Sequence, residues 1–183
     1  MPRQFAGPLV PAITPFTADG TPDAAAFVSI CRWLLAQGAD GLAVFGTTSE
    51  GTSLTVAERM ALLDAAVEAG LPIKLNAVLL RGQNDSQILP LAEWAMTREL
   101  PLRFIEYMPL DAPGHWRRES VVSEAEILER LRSRYQVEAL PRGSEPATRY
   151  RLDGHARVGV IATVSNPFCA SCDRIRFTAT GAL

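Results

Sequence analysis

The chain has 183 residues, 48% of them hydrophobic and 21% charged, with a formal net charge of −2. That size and balance fit one medium globular domain, or one with an appendage, and they exclude the electrostatic footprint of a nucleic-acid or anionic-membrane binder. The start, MPRQFAGPLVPAITPF, is broken by prolines and is no signal peptide, and no apolar run approaches the roughly 20 residues of a membrane span. Three cysteines without a secretory signal predict a reducing, cytoplasmic setting.

Short β-branched runs alternate with helical patterns, which predicts an α/β fold built on a parallel sheet. GPLVPAITPF (7–16) reads as a first strand. A helix follows in TPDAAAFVSICRWLLAQG, with Thr21 as N-cap, Pro22 in its first turn and Gly38 as its stop. Phe27, Ile30, Cys31, Leu34 and Leu35 form its apolar face. DGLAVFGT (40–47) is a second strand, and Thr55 with Glu58 makes a capping box for a helix ending at Gly70. IKLNAVLL (73–80) is a third strand. The helix after it either starts near Pro90 or bends there. LRFIEYMP (102–109) is a fourth strand, and Ser123 and Glu126 box the start of SEAEILERLRSRY. From about Glu138 short β-like runs, TRYRL, RVGVIATV and RIRFTAT, are divided by turns at Asp153-Gly154 and Ser165-Asn166-Pro167. This predicts a small antiparallel appendage on a βα body.

Lys74 is the only lysine among 18 basic residues, so any chemistry that needs a neutral amine falls on it. Lys74 and Arg103 share a phrasing, LPIKL and LPLRF, early in buried-type strands. By alternation Lys74, Asn76 and Val78 share one side, and Arg103, Ile105 and Tyr107 another. Charges in a parallel sheet cost several kcal/mol unless paired. Either each cation snorkels or pairs with Glu106 or a helix carboxylate, or the two line a pocket for a multiply charged anion. GTTSEG (46–51) follows strand two, where consecutive N–H groups and the hydroxyls of Thr47 and Thr48 suit a carboxylate or phosphate; the alternative is a self-satisfied turn. Cys31 and the three tryptophans, Trp33, Trp94 and Trp116, read as packing. His115 and His155 sit in separate polar loops. Cys169 and Cys172 form a C-x-x-C pair, and Arg174 and Arg176 beside it favour thiolates, so the pair reads as a metal or cluster ligand set, with a redox dithiol as the alternative.

IKLNAVLLRGQND, LRFIEYMPLD, HWRRESVVSEAEILERL, RYRLDG, VGVIATVSNPFC and CDRIRFTATG closely resemble the C-terminal half of the GTP 3′,8-cyclase (MoaA) family of molybdenum cofactor biosynthesis. The resemblance implies an incomplete TIM-type barrel with a radical S-adenosylmethionine cluster at one mouth and a second [4Fe-4S] cluster, which binds the guanine of GTP, at the other. It implies that Cys169 and Cys172 ligate the second cluster, that Arg174 and Arg176 face the substrate, that Lys74 and Arg103 contact the GTP phosphates, and that Met108 approaches S-adenosylmethionine. The family spacing puts the third cysteine three residues past Leu183, so the chain is expected to stop short of it.

GPLVPAITPFTADG, GADGLAVFGTTSEGTSLT and AERMALLDAA instead resemble the N-terminal quarter of the dihydrodipicolinate synthase/N-acetylneuraminate lyase (DapA-like) family. Ser49 replaces that family's usual Gly, and Thr47 and Thr48 match its substrate-carboxylate and hydroxyl-relay threonines. The expected organisation is a DapA-like segment over 1–70, a MoaA-like barrel segment over 71–137 and a cluster-binding segment over 138–183. Together they make a partial TIM-type barrel of about four βα units with the antiparallel appendage.

The functional expectation is a GTP 3′,8-cyclase fragment that keeps part of the GTP and second-cluster site. No residue is assigned as catalytic, because the only cysteine before Cys169 is Cys31 and the cluster that cleaves S-adenosylmethionine has no ligands. The alternatives are a Schiff-base lyase acting on pyruvate, for which the catalytic lysine is absent, and a non-catalytic fused product. Bare sheet edges predict a homo-oligomer or an aggregation-prone chain.

Overall fold

A computed structural model describes residues 8–46, 49–109, 114, 116–143 and 145–168, and the chain divides into two compact units, Met1–Ile73 and Lys74–Leu183. The fold is α/β, with a mixed sheet in the second unit. Among the described residues no helix is long and apolar enough to cross a membrane.

The first unit runs β1 (Leu9–Pro11), α1 (Ala24–Ala36), β2 (Gly41–Ala43) and α2 (Val56–Glu68). β1 and β2 are parallel, with Leu9 opposite Gly41 and Pro11 opposite Ala43. Both strands are shorter than the sequence suggests. Pro8, Pro11 and Pro15 have no N–H to give a ladder, and Phe45 adopts a left-handed backbone, φ 60°, soon after β2. α1 is capped by Asp23, whose carboxylate accepts from the Ala26 N–H at 2.9 Å. Thr21 does not take that role, because its carbonyl closes a turn by accepting from the Thr17 N–H and hydroxyl. α2 opens on the expected box: the Thr55 hydroxyl accepts from the Glu58 N–H at 3.2 Å, and the Glu58 carboxylate accepts from the Thr55 N–H at 2.7 Å. Phe27 and Cys31 from α1 bury with Leu62 and Ala66 from α2. The Phe27 and Phe45 rings stack with centroids 6.0 Å apart. Trp33, expected to pack, is instead 60% exposed, because it lies off the stripe that Phe27, Cys31 and Leu34 follow at helical period.

The second unit contains β3 (Leu75–Leu79), α3 (Ile88–Thr97), β4 (Leu102–Glu106), α4 (Glu124–Arg132), β5 (Val137–Ala139), β6 (Thr148–Leu152) and β7 (Ala156–Ile161). Pro90 falls in the first turn of α3, where its lost N–H has no intrahelical partner to forfeit. A short 3-10 turn, Asp85–Gln87, leads into that helix. The five strands lie in the order β3-β4-β7-β6-β5. β7 runs parallel to β4 and antiparallel to β6, so the expected appendage is a continuation of the sheet. Asp153, Gly154 and His155 connect β6 to β7: the His155 N–H donates to the Leu152 carbonyl at 3.1 Å, and the two central residues of that turn, Asp153 and Gly154, have left-handed φ of 47° and 78°. Leu102, Phe104, Val158, Val160 and Leu152 cover one face and bury against Ile88, Ala92, Ile127 and Leu131 of α3 and α4. Each fully buried large side chain of this set contributes about 1.5–3 kcal/mol.

β4 ends on Glu106, which is fully buried. Its carboxylate accepts from the N–H groups of Glu124 at 2.9 Å, Val164 at 2.7 Å and Ser165 at 2.8 Å, and from the Ser165 hydroxyl. A buried carboxylate is costly unless its lone pairs are filled. Here they are filled by donors from the first turn of α4, otherwise without intrahelical acceptors, and from the segment after β7. Glu124 accepts in turn from the Tyr150 hydroxyl at 2.9 Å and from the Asn166 amide at 3.3 Å. Burial, then the bond to Glu124 and its charge, push the Tyr150 phenol up to about 12.

Glu106→Gln sets an amide N–H against donors, so it is expected to lower the stability of the second unit by about 1–3 kcal/mol, read by peptide-resolved hydrogen exchange. Gly51→Ala acts on the first unit. An added Cβ would stand 2.0 Å from the Phe45 carbonyl oxygen, and the same measurement is expected to show a loss of about 1–3 kcal/mol confined to residues of that unit.

Candidate functional site: a cationic sheet face

The sheet of the second unit has one dry face and one that carries both charged residues and an apolar row of Val78, Ile105 and Ile161. Strand register aligns Asn76, Arg103, Gly159 and Arg149 in a single row across β3, β4, β7 and β6. Since side chains alternate along strands, this row lies opposite the face that α3 and α4 cover. Arg157 and Arg151, paired across β7 and β6, belong to the same face. Lys74 stands one residue before β3.

Lys74 is exposed overall. Loss of water around its ammonium, and then the like charge of Arg103, hold its pKa below the usual lysine value, while the charge of Glu145 acts in the opposite direction. Arg103 pairs with Glu145 at 3.7 Å, and the same carboxylate lies 3.5 Å from Arg149. The pairing of Arg103 with Glu106 that the sequence left open does not form. Three residues apart on one strand, the two point to opposite faces, and Glu106 is filled by backbone donors. Gly159 gives Arg103 room: an added Cβ there would lie 3.2 Å from both Arg103 Cγ and Ala147 Cβ. The aliphatic stem of Arg103 therefore crosses β7 where a side chain would otherwise stand.

Met108 lies two residues past β4 and is half-buried. Cys169, Cys172, Arg174, Arg176, Thr47, Thr48 and His115 lie outside the described residues, as does the run RIRFTAT. The chain leading to Cys169 is described as far as Phe168, whose ring lies 5.6 Å from the Arg142 guanidinium. His155 is exposed, with Nδ1 2.9 Å from the Asp153 carbonyl. Among the described residues no group of three or more His, Cys, Asp or Glu side chains is placed to hold a metal ion. Burial raises the Cys31 thiol pKa, which suits a packing residue.

Around GTTSEG the described residues satisfy one another. The Thr14 hydroxyl donates to the Ser49 carbonyl at 2.7 Å, the Ser49 hydroxyl donates to the Ala12 carbonyl, and the Gly46 carbonyl accepts from the N–H groups of Ser49 and Gly51. Ser49 is thus a clasp between the loop and the end of β1.

Sequence reasoning found Lys74 and Arg103 but missed Arg149, Glu145 and Gly159. Alternation within TRYRL was the available signal, since it puts Arg149 and Arg151 on one side.

The single lysine makes the electrostatics measurable. Arg103→Ala is expected to raise the Lys74 pKa, and Glu145→Gln to lower it further, seen as opposite shifts in the pH profile of amine acetylation at the Lys74 peptide. Identical profiles in both variants would show that these charges do not act on Lys74.

Residues 100–183 match the family described as Molybdenum Cofactor Synthesis C, and residues 4–77 match the Dihydrodipicolinate synthetase family. A GTP 3′,8-cyclase of Streptomyces coelicolor is 51% identical over 124 residues, which cover 65% of this chain and 36% of that protein. One from Corynebacterium glutamicum is 41% identical over 144 residues, covering 72% of this chain and 38% of that protein. The chain therefore spans little more than a third of the length of these relatives. Among solved structures, dihydrodipicolinate synthase from Agrobacterium tumefaciens is 30% identical, with 60% of this chain and 39% of that one covered, at a TM-score of 0.42, a value that does not define a common overall fold. The chain joins an N-terminal part similar to the dihydrodipicolinate synthetase family to a C-terminal part similar to the GTP 3′,8-cyclases.

Proposed function

We propose that the second unit is a nucleotide cradle of GTP 3′,8-cyclase type, in which Lys74 and Arg103 hold the phosphates of GTP. One observation carries this reading: the stem of Arg103 lies against Gly159, on the sheet face opposite α3 and α4, and its charge acts on Lys74. Two cations close enough to depress one of them suit a multiply charged anion. Cyclases of this kind are among the relatives similar to this part of the chain.

In the finer reading, 1–70 is a DapA-like segment, 71–137 a barrel segment and 138–183 a cluster-binding segment, with about four βα units of TIM-barrel type among them. Arg174 and Arg176 face the guanine end of the nucleotide, and Met108 contacts S-adenosylmethionine. Cys169 and Cys172 fit a [4Fe-4S] cluster as two thiolate ligands of a set that another group completes. A bound cluster would supply an iron for the guanine to bind. Within these 183 residues Cys31 is the only other cysteine, and it is buried in the first unit. In this reading the residues of the second unit bind the nucleotide, and the remaining cluster ligand comes from another group. The pyruvate-lyase alternative needs an amine facing a substrate carbonyl. Lys74 stands at the amino end of its strand, away from the carboxyl end where barrels of that kind place their chemistry.

The test is GTP binding to the full chain by calorimetry under strict exclusion of oxygen. Lys74→Ala and Arg103→Ala are each expected to weaken binding by about tenfold or more, the worth of a hydrogen bond to a charged group. Binding that is absent, or indifferent to both substitutions, would remove the cradle.

A further inference from the structure

The row across the sheet does not stop at Arg103. Gly159 separates it from Arg149, and the two arginines flank the same strand from either side. One carboxylate reaches both: Glu145 is 3.7 Å from an Arg103 nitrogen and 3.5 Å from an Arg149 nitrogen. Its charge also acts on Lys74. Glu145 thus stands within the electrostatic reach of three cations that belong to three separate segments of the chain.

The contacts are those of a counter-ion rather than a structural tie. Both separations exceed the roughly 2.7–2.9 Å of a strong charge-assisted hydrogen bond, and the Glu145 side chain is 41% exposed. Exposed pairs of this kind are worth little, about 0–1 kcal/mol. Glu145 also belongs to the irregular stretch between β5 and β6, so its withdrawal breaks no strand ladder. The Arg149 side chain is 38% exposed and donates besides to the Pro141 carbonyl at a long 3.4 Å.

We propose that Arg149 is a further phosphate-binding residue of this face, and that the Glu145 carboxylate occupies the position a phosphate takes and is displaced when a polyphosphate binds. The proposal rests on the nucleotide reading for Lys74 and Arg103 and adds two roles to it. The ligand class is an inorganic or nucleoside polyphosphate: Arg149 recognises the anion, not the base.

Inorganic tripolyphosphate and GTP are titrated into the full chain and into four variants, Arg103→Ala, Arg149→Ala, Arg149→Lys and Glu145→Gln, with melting curves to confirm folding. Arg149→Ala is expected to weaken binding of both ligands by about tenfold, as for a lost charge-assisted bond. Arg149→Lys, which keeps the charge, is expected to recover part of that loss. Glu145→Gln is expected to tighten both by about two- to fivefold, the factor that corresponds to an exposed ion pair no longer broken on binding. If Arg103→Ala weakens binding while the Arg149 and Glu145 variants bind as the parent does, this proposal falls and the cradle stands. If the parent binds neither ligand, both fall together. If Glu145→Gln weakens binding, Glu145 supports the site and is no placeholder.

Discussion

The second unit depends on the two-residue alternation of β4. Leu102, Phe104 and Glu106 point into the layer covered by α3 and α4, and Arg103 and Ile105 point the other way. The dry side can carry a carboxylate at its end only because four donors converge there. The other side, which α3 and α4 do not cover, carries the row of cations. A one-residue slip would bury Arg103 and expose Phe104, so hydrophobic burial and site formation select the same register. The Glu106 bonds add a second consequence. They fix the chain just after β7, four to five residues before Cys169, to the end of β4.

The two units reach order by different means. The second has a five-stranded sheet and a continuous apolar core. The first has two strands of three residues, and much of its definition comes from polar closure: the Thr55–Glu58 box, the Asp23 cap and the Thr14–Ser49 clasp. Arg32 adds a bond at 2.9 Å to the carbonyl of Ala69, at the end of α2. Strands of three residues, one of them ending on Pro11, give few ladder bonds, so side chain to backbone bonds carry proportionally more of the specification.

What was legible in the sequence was local. Capping boxes at Thr55 and Ser123 and the Asp153-Gly154 turn are chemistry written within four residues, and each sits where the spacing put it. The α1 cap moved to Asp23 because Thr21 was claimed by a turn that the spacing alone does not reveal. β5 was missed since Val137–Ala139 offers a single β-branched residue and earns its place by pairing with β6. That β7 lies beside β4 was not legible at all, because the pairing joins residues more than fifty apart. The site shows the same division. The repeated Leu-Pro phrasing pointed to Lys74 and Arg103 as candidates, and the structure puts the charge of one within reach of the other. Gly159 matters through register and Glu145 through contacts made from the irregular stretch before β6, and a lone acid or glycine carries no mark of either.

Net charge misled in one useful respect. A chain at −2 reads as electrostatically bland, yet opposite charges are not evenly spread over it. On the open face, Lys74, Arg103 and Arg149 gather about one carboxylate, Glu145, with Arg151 paired to Glu138 further out. The like charge of Arg103 opposes that of Lys74, and Glu145 acts in the opposite direction. Water and salt screen that repulsion over roughly 10 Å at ordinary ionic strength, which keeps the face tolerable without neutralising it. The buried core lies on the other side of the sheet from these charges. One face of the sheet is closed by apolar packing and the Glu106 bonds, and the row of cations lies on the other.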